Sequence, residues 1–118
     1  MATEQTVLAA ARKIADSLTN WTSNYNESAS GAAATLTVTP TSGKSLRIKG
    51  FTVTTNGATV GTWDIKKVST IIMKGALGAG TIALSGLSIE GAVDETFTIE
   101  TSAIAAQVQS VSLFYQEF

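Results

Sequence analysis

The stretch MKGALGAG, residues 73–80, places three glycines within six positions, at Gly75, Gly78 and Gly80. Glycine loops of this density either cradle a phosphate or bend the chain between two strands. A phosphate loop needs a strand before it and a helix after it, because the helix N-terminus supplies aligned N–H groups and positive dipole charge. The next eleven residues, TIALSGLSIEG at 81–91, alternate apolar with small residues and contain two more glycines. No helix of useful length starts there. The stretch therefore reads as a hairpin loop with a left-handed position at Gly75, Gly78 or Gly80. The flanking IIM and TIAL read as its two paired strands.

The same reading extends outward. Thr35, Thr37 and Thr39 alternate with Leu36 and Val38, and TSGK, residues 41–44, makes a turn. Leu46 and Ile48 alternate with Arg47 and Lys49; Gly50 then breaks the phase, and Phe51 and Val53 resume it one residue later. Such a phase slip marks a β-bulge. TNGA, residues 55–58, holds an Asn-Gly pair that favours a type I′ hairpin. Further strands are expected from Val60 to Lys67, from Ser69 to Lys74, from Thr81 to Leu84, around Leu87 and Ile89, from Asp94 to Thr101, and from Val108 to Phe118. The last sets Val111, Leu113 and Tyr115 on one face. Seven or eight short strands punctuated by turns predict a mainly β fold, an antiparallel β-sandwich that is jelly-roll-like.

One segment is different. From Thr3 to about residue 19, apolar residues recur at helical spacing. Thr3 suits the N-cap, Glu4 the first turn, and Asn20 the stop. Val7, Leu8, Ala11, Ile14, Ala15, Leu18 and Trp21 form one stripe, while Arg12 and Asp16 pair at four-residue spacing on the other face. The expected organisation is a helical arm over 1–21, a polar linker over 22–33 (TSNYNESASGAA) and a β-sandwich domain over 34–118. No later segment supplies crossover helices, which argues against a parallel α/β sheet. The arm either folds onto its own sandwich or packs into a neighbour. Its alanines permit close helix packing.

Composition narrows the chemistry. The chain has 118 residues, only 14% of them charged, and a net charge of -1. One domain is expected, with no basic field to draw nucleic acid by counterion release. There are no cysteines and no histidines, so thiol nucleophiles, disulfides, zinc ribbons and the commonest general base are missing. No cofactor, metal or catalytic residue is expected, and enzymatic activity is argued against. No apolar run spans a bilayer, and charged residues interrupt the N-terminal stretch, so neither a membrane span nor a secretory signal is expected. The expected setting is a cytoplasm, or a particle assembled in one.

Smaller signals have bland counterparts. SGKS, residues 42–45, carries the end of a P-loop motif, but Val38 stands where the motif requires glycine. Glu90, Asp94 and Glu95 lack the spacing of a calcium loop and read as a solvated turn. Trp63 beside Lys66 and Lys67 fits a sugar or nucleic-acid platform. Its commoner use is to fill a small core while the lysines guard an edge strand. The sequons at Asn20 and Asn26 read as accidental without a secretory signal.

Over residues 44–118, KSLRIKGFTVTTNGA, then IIMKGALGAGTIAL, then EGAVDETFTIETSA and SVSLFYQEF, the rhythm resembles small β-sandwich virion structural proteins of tailed bacteriophages. The resemblance carries no catalytic positions. It implies a capsid decoration or cement protein that forms homo-oligomers, with a trimer favoured, and that contacts the major capsid protein or another virion protein. It places the chain in the virion, assembled in the host cytoplasm, with the arm reaching a neighbour. The alternative class is a tail-fibre or baseplate-type module that binds a receptor or glycan.

Overall fold

The structure is a computed structural model that describes residues 22–118. The arm expected over residues 1–21, with its apolar stripe, lies outside the described residues. Nine strands succeed one another: β1 (Thr22–Glu27), β2 (Thr35–Val38), β3 (Leu46–Thr55), β4 (Gly61–Lys67), β5 (Thr70–Leu77), β6 (Gly80–Leu84), β7 (Ile89–Glu90), β8 (Phe97–Thr101) and β9 (Gln109–Glu117). They form two antiparallel sheets. The first runs β1-β9-β3-β6, with β7 also paired to β3; the second runs β2-β8-β4-β5.

Alternation explains why these sheets face each other. Leu46, Ile48, Phe51 and Val53 of β3 and Val111, Leu113 and Tyr115 of β9 point inward from the first sheet. Val38, Trp63, Ile65, Leu77, Phe97 and Ile99 point inward from the second. The two sets interdigitate in one core, where the Phe51 and Trp63 rings meet at 4.8 Å and an interplanar angle of 40°. Burying a side chain of this size stabilises the fold by about 1.5–3 kcal/mol. The molecule is thus a mainly β, antiparallel two-sheet sandwich. Trp63 belongs to its core and is no surface platform.

The bulge in β3 lies where the phase slip places it. Ile48 faces Tyr115 and Gly50 faces Phe114, so Lys49 is the extra residue. A Cβ on Gly50 would come within 2.6 Å of the Leu84 carbonyl oxygen. Glycine is needed there because the backbone after β6 crosses directly over it.

Several expectations are corrected by the pairing. Asn56-Gly57 does not close a hairpin, because β3 and β4 lie in different sheets. Asn56 instead pins the crossing: its Oδ1 accepts from the Val108 N–H at 2.9 Å and its N–H donates to the Val108 carbonyl at 3.2 Å. Gly57 leaves room for the Gln107 side chain, whose Oε1 would lie 2.1 Å from a Cβ there. The opening glycine stretch is also a crossing between sheets. Its first part is strand, ending at the fully buried Leu77, and β5 and β6 do not pair. Of its three glycines only Gly80 has a positive φ, +103°. Turn-prone residues bend the chain, but they do not decide which strands pair across the bend. Among the described residues, β4 and β5 are the one consecutive pair that hydrogen-bond to each other.

Two more readings change. Thr22–Glu27, expected as the start of a polar linker, is strand β1, paired along its length with β9. Lys66 and Lys67 guard no edge, since β4 lies between β8 and β5; the edges of that sheet are β2 and β5.

Candidate functional site

The carboxylates singled out by the sequence are each engaged within the fold, Glu90 across two strands and Asp94 and Glu95 in loops. The Arg47 guanidinium donates to Glu90 Oε1 from Nε and Nη2 at 2.9 and 2.7 Å, and stacks 4.5 Å above the Phe118 ring. Asp94 Oδ1 accepts from the Gly43 N–H at 2.8 Å, tying the 41–44 turn to the loop before β8. Glu95 Oε1 accepts from the Ala92 N–H at 2.5 Å. The three do not converge on one point. Among the described residues no cluster of three or more acidic, His or Cys side chains could hold a metal ion.

A different pair of carboxylates meets on the outer face of the second sheet. Asp64 lies opposite Glu100 in β8 and opposite Lys74 in β5. Glu100 forms an ion pair with Lys66. Burial, then the neighbouring Glu100 charge, pushes the Asp64 carboxyl above its ordinary value, against the pull of Lys66. The hydrogen bond to Glu100 pushes Lys66 upward, so this amine stays charged. A charged lysine is no nucleophile, and the arrangement reads as a cross-strand charge ladder.

The surface carries two features suited to contact with other molecules. One is the β4–β5 hairpin. Ile65 faces Met73 and Lys66 faces Ile71, which leaves Ile72 as an extra, bulged residue. The bulge turns two consecutive isoleucines outward: Ile71 is 48% and Ile72 37% exposed. At the tip, Val68 is 54% exposed and holds a φ of 58°. A left-handed β-branched residue is a genuine outlier, and strain of this kind costs about 1–3 kcal/mol. The Val68 N–H donates to the Thr96 carbonyl at 2.9 Å, which fixes the tip against the loop before β8. An edge strand with bare apolar side chains is a surface ready to be covered.

The other feature is the outer face of the first sheet. Thr52 bonds Ser112, and Thr54 bonds Thr81 at 3.0 Å, so hydroxyls run across β9, β3 and β6. Tyr25, opposite Ser112, is 63% exposed beside them. Glu27, opposite Ser110, and the Arg47–Glu90 ion pair lie on the same face.

Sequence reasoning missed the buried glutamines. Gln107 and Gln109 are 5% and 1% exposed. Gln107 Oε1 accepts from Thr59 at 2.9 Å and its Nε2 donates to Thr55 Oγ1 at 2.8 Å. Gln109 Nε2 donates to the Ser102 and Ala32 carbonyls at 2.7 and 3.2 Å. They staple the loops at one end of the sandwich. Their one signal in the sequence is a polar pair, spaced by two, where the alternation of the last strand begins.

No protein-family model matches the chain, and no curated protein sequence does. Solved structures similar to it include the CBM36-1 domain of a multidomain xylanase from the hindgut metagenome of Trinervitermes trinervoides, at 10% identity and TM-score 0.43, covering 80% of this chain and 95% of that one. PliG of Aeromonas hydrophila, a periplasmic inhibitor of g-type lysozyme, is similar at 13% identity and TM-score 0.38, covering 81% and 86%. The virus-like particle of the extra small virus of the prawn Macrobrachium rosenbergii is similar at 11% identity and TM-score 0.35, covering 80% and 77%. The likeness is in the course of the chain, and no residue's role passes from these proteins to this one.

Proposed function

We propose that this chain is a non-enzymatic structural protein of a bacteriophage virion, a capsid decoration or cement protein. It forms homo-oligomers, with a trimer favoured, and contacts the major capsid protein or another virion component. The observation that carries the reading is the exposure of Val68, Ile71 and Ile72 together on one hairpin. Water-facing apolar side chains gathered on an edge strand are stabilised when another protein covers them. The engagement of Glu90, Asp94 and Glu95 in contacts within the fold supports the non-enzymatic part of the reading. The order β1-β9-β3-β6 facing β2-β8-β4-β5 is that of a jelly roll, an architecture used by capsid and lectin domains, although fold alone does not fix function. Assembly by mass action would then oppose internal pressure in a filled head.

The test is the solution mass by light scattering, for the full chain, for a form lacking residues 1–21, and for Ile71→Ser/Ile72→Ser. Oligomers of the full chain that dissociate in either variant, with the sandwich still folded by circular dichroism, are the expected result. A single-chain mass for the full protein at every concentration sinks the reading.

Tyr25 favours a second reading. An exposed tyrosine beside a hydroxyl-lined face suits stacking and hydrogen bonding to a sugar, as in a tail-fibre or baseplate module. A glycan array separates the two: a cement protein stays silent, and a glycan module loses its signal in Tyr25→Ala.

A further inference from the structure

We propose that β1 is an exchangeable strand: in the assembly, β1 of one copy pairs with β9 of a second copy and carries residues 1–21 onto it. This rests on the oligomeric reading above and specifies how the copies join.

Three observations converge on β1. First, all six of its residues are exposed, and none belongs to the core. Its hold on the sandwich is a backbone ladder, with Thr22 opposite Tyr115 through Glu27 opposite Ser110, and one side-chain bond, from Asn26 Nδ2 to the Thr35 carbonyl. Second, the anchored part of the chain begins immediately after it. The Gly31 N–H donates to the Gln107 carbonyl at 2.9 Å, Gln109 Nε2 to the Ala32 carbonyl at 3.2 Å, and the Ala34 N–H to Thr101 Oγ1 at 2.9 Å. Between the ladder and these anchors lie Ser28, Ala29 and Ser30, with a bond from the Ala32 N–H to the Ala29 carbonyl at 3.1 Å. Third, β1 continues directly from the segment that bears the apolar stripe Val7, Leu8, Ala11, Ile14, Ala15, Leu18 and Trp21.

Exchange opens the Ala29–Ala32 turn bond and re-forms the other contacts of β1 on the neighbour. The β1–β9 ladder re-forms on the neighbour. So do the bond from the Ser28 N–H to the Gln109 carbonyl at 2.8 Å, the bond from Asn26 Nδ2 to the Thr35 carbonyl at 2.6 Å, and the bond from the Gln109 N–H to Ser28 Oγ at 3.0 Å. Swapping an identical element between copies is a low-cost route to an oligomer. Residues 1–21 travel with β1, and the apolar residues that recur at helical spacing in their sequence give the exchanged segment side chains to bury on the second copy. The short pivot sets the geometry: Ser28 travels with β1, so only Ala29 and Ser30 turn, and the three steps from Ser28 to Gly31 span roughly 10 Å at full extension. The second copy's β9 must therefore lie beside the first copy's β1–β2 edge, and the hairpin patch, on the opposite edge of the second sheet, faces a further copy as a second contact of the same assembly.

The chain has no cysteine, so an engineered pair is the only disulfide it can form. Tyr25→Cys with Ser112→Cys places thiols at one register position of β1 and β9. The double variant is oxidised at its native solution mass, then denatured and run without reductant. Covalent dimers and larger species are the expected result, lost on reduction. A native oligomer that denatures to single chains with an internal disulfide overturns the exchange and leaves the oligomeric reading intact. A native mass of one chain overturns both. Co-expressed single variants, Tyr25→Cys in one copy and Ser112→Cys in another, should form a mixed disulfide dimer; its absence from an oxidised oligomer also overturns the exchange. Glu27→Cys with Ser110→Cys repeats the measurement at a second register position if the first pair disturbs folding.

Discussion

Two bulges break the two sheets, and they have opposite consequences. In β3 the extra residue, Lys49, sits inside a sheet, with β9 on one side and β6 and β7 on the other. Its neighbour Gly50 is covered by the backbone after β6, and the strand continues inward at Phe51. In β5 the extra residue, Ile72, sits on an edge strand with nothing beyond it in the sheet among the described residues. There the bulge re-aims isoleucines toward water. The same local irregularity serves closure where neighbours flank it and display where one side is open.

Changes around the covered bulge should have the largest effects. Phe51→Ala removes a fully buried ring that meets Trp63, and a loss of about 3–5 kcal/mol is expected in urea unfolding. Gly50→Ala forces a Cβ against the Leu84 carbonyl, and should cost about 1–3 kcal/mol in the same measurement. A loss near zero for Gly50→Ala would show that β6 does not press on the bulge, and the contrast between the two bulges would weaken.

The bare bulge should respond in the other direction. Val68→Asn, at the tip of the same hairpin, replaces a strained left-handed valine by a residue that tolerates that region, and should raise stability by about 1 kcal/mol. The same substitution removes exposed apolar surface and should lower the solution mass. Stability and assembly moving together would break the link between strain and display. Opposite the bulge, the charge ladder gives a smaller effect. The folded protein holds the Asp64 proton more tightly than the unfolded chain does. Its contribution is therefore fully present below the ordinary pKa of 3.8 and is lost as pH rises through the raised folded value. Asp64→Asn should raise the melting temperature at neutral pH, with a gain below about 1 kcal/mol, and leave it unchanged in strong acid. A variant less stable at neutral pH would show that the pull of Lys66 outweighs burial and Glu100.

The two bulges also differ in how far the sequence reveals them. Leu46 and Ile48, then Phe51 and Val53, write the β3 slip directly, because every residue of that strand has a buried or a half-exposed side to declare. In β5, Ile71, Ile72 and Met73 are all apolar, so alternation is silent on which of them faces inward. β1 is illegible for a related reason: an edge strand that buries no side chain leaves no apolar period in TSNYNE. The Asn56-Gly57 and Met73–Gly80 stretches announce bends, and bends occur. Partner choice across them depends on which distant strand lies alongside, which local turn chemistry does not encode. The Trp63 core position stays open in the sequence because a tryptophan beside two lysines fits both a platform and a core.

The central place of β9 bears on how the protein comes to be folded at all. β9 pairs with both β1 and β3, yet it is synthesised after every other strand of its sheet. Until β9 has left the ribosome, Leu46, Ile48, Phe51 and Val53 have no permanent strand to lie against on that side. Folding of this sheet must wait for the release of residues near 117, and its long-range pairings place it among the slower β topologies. A cell that makes many copies at once therefore carries a population of unfinished chains with open apolar strands, and chaperone supply should set the yield of soluble protein.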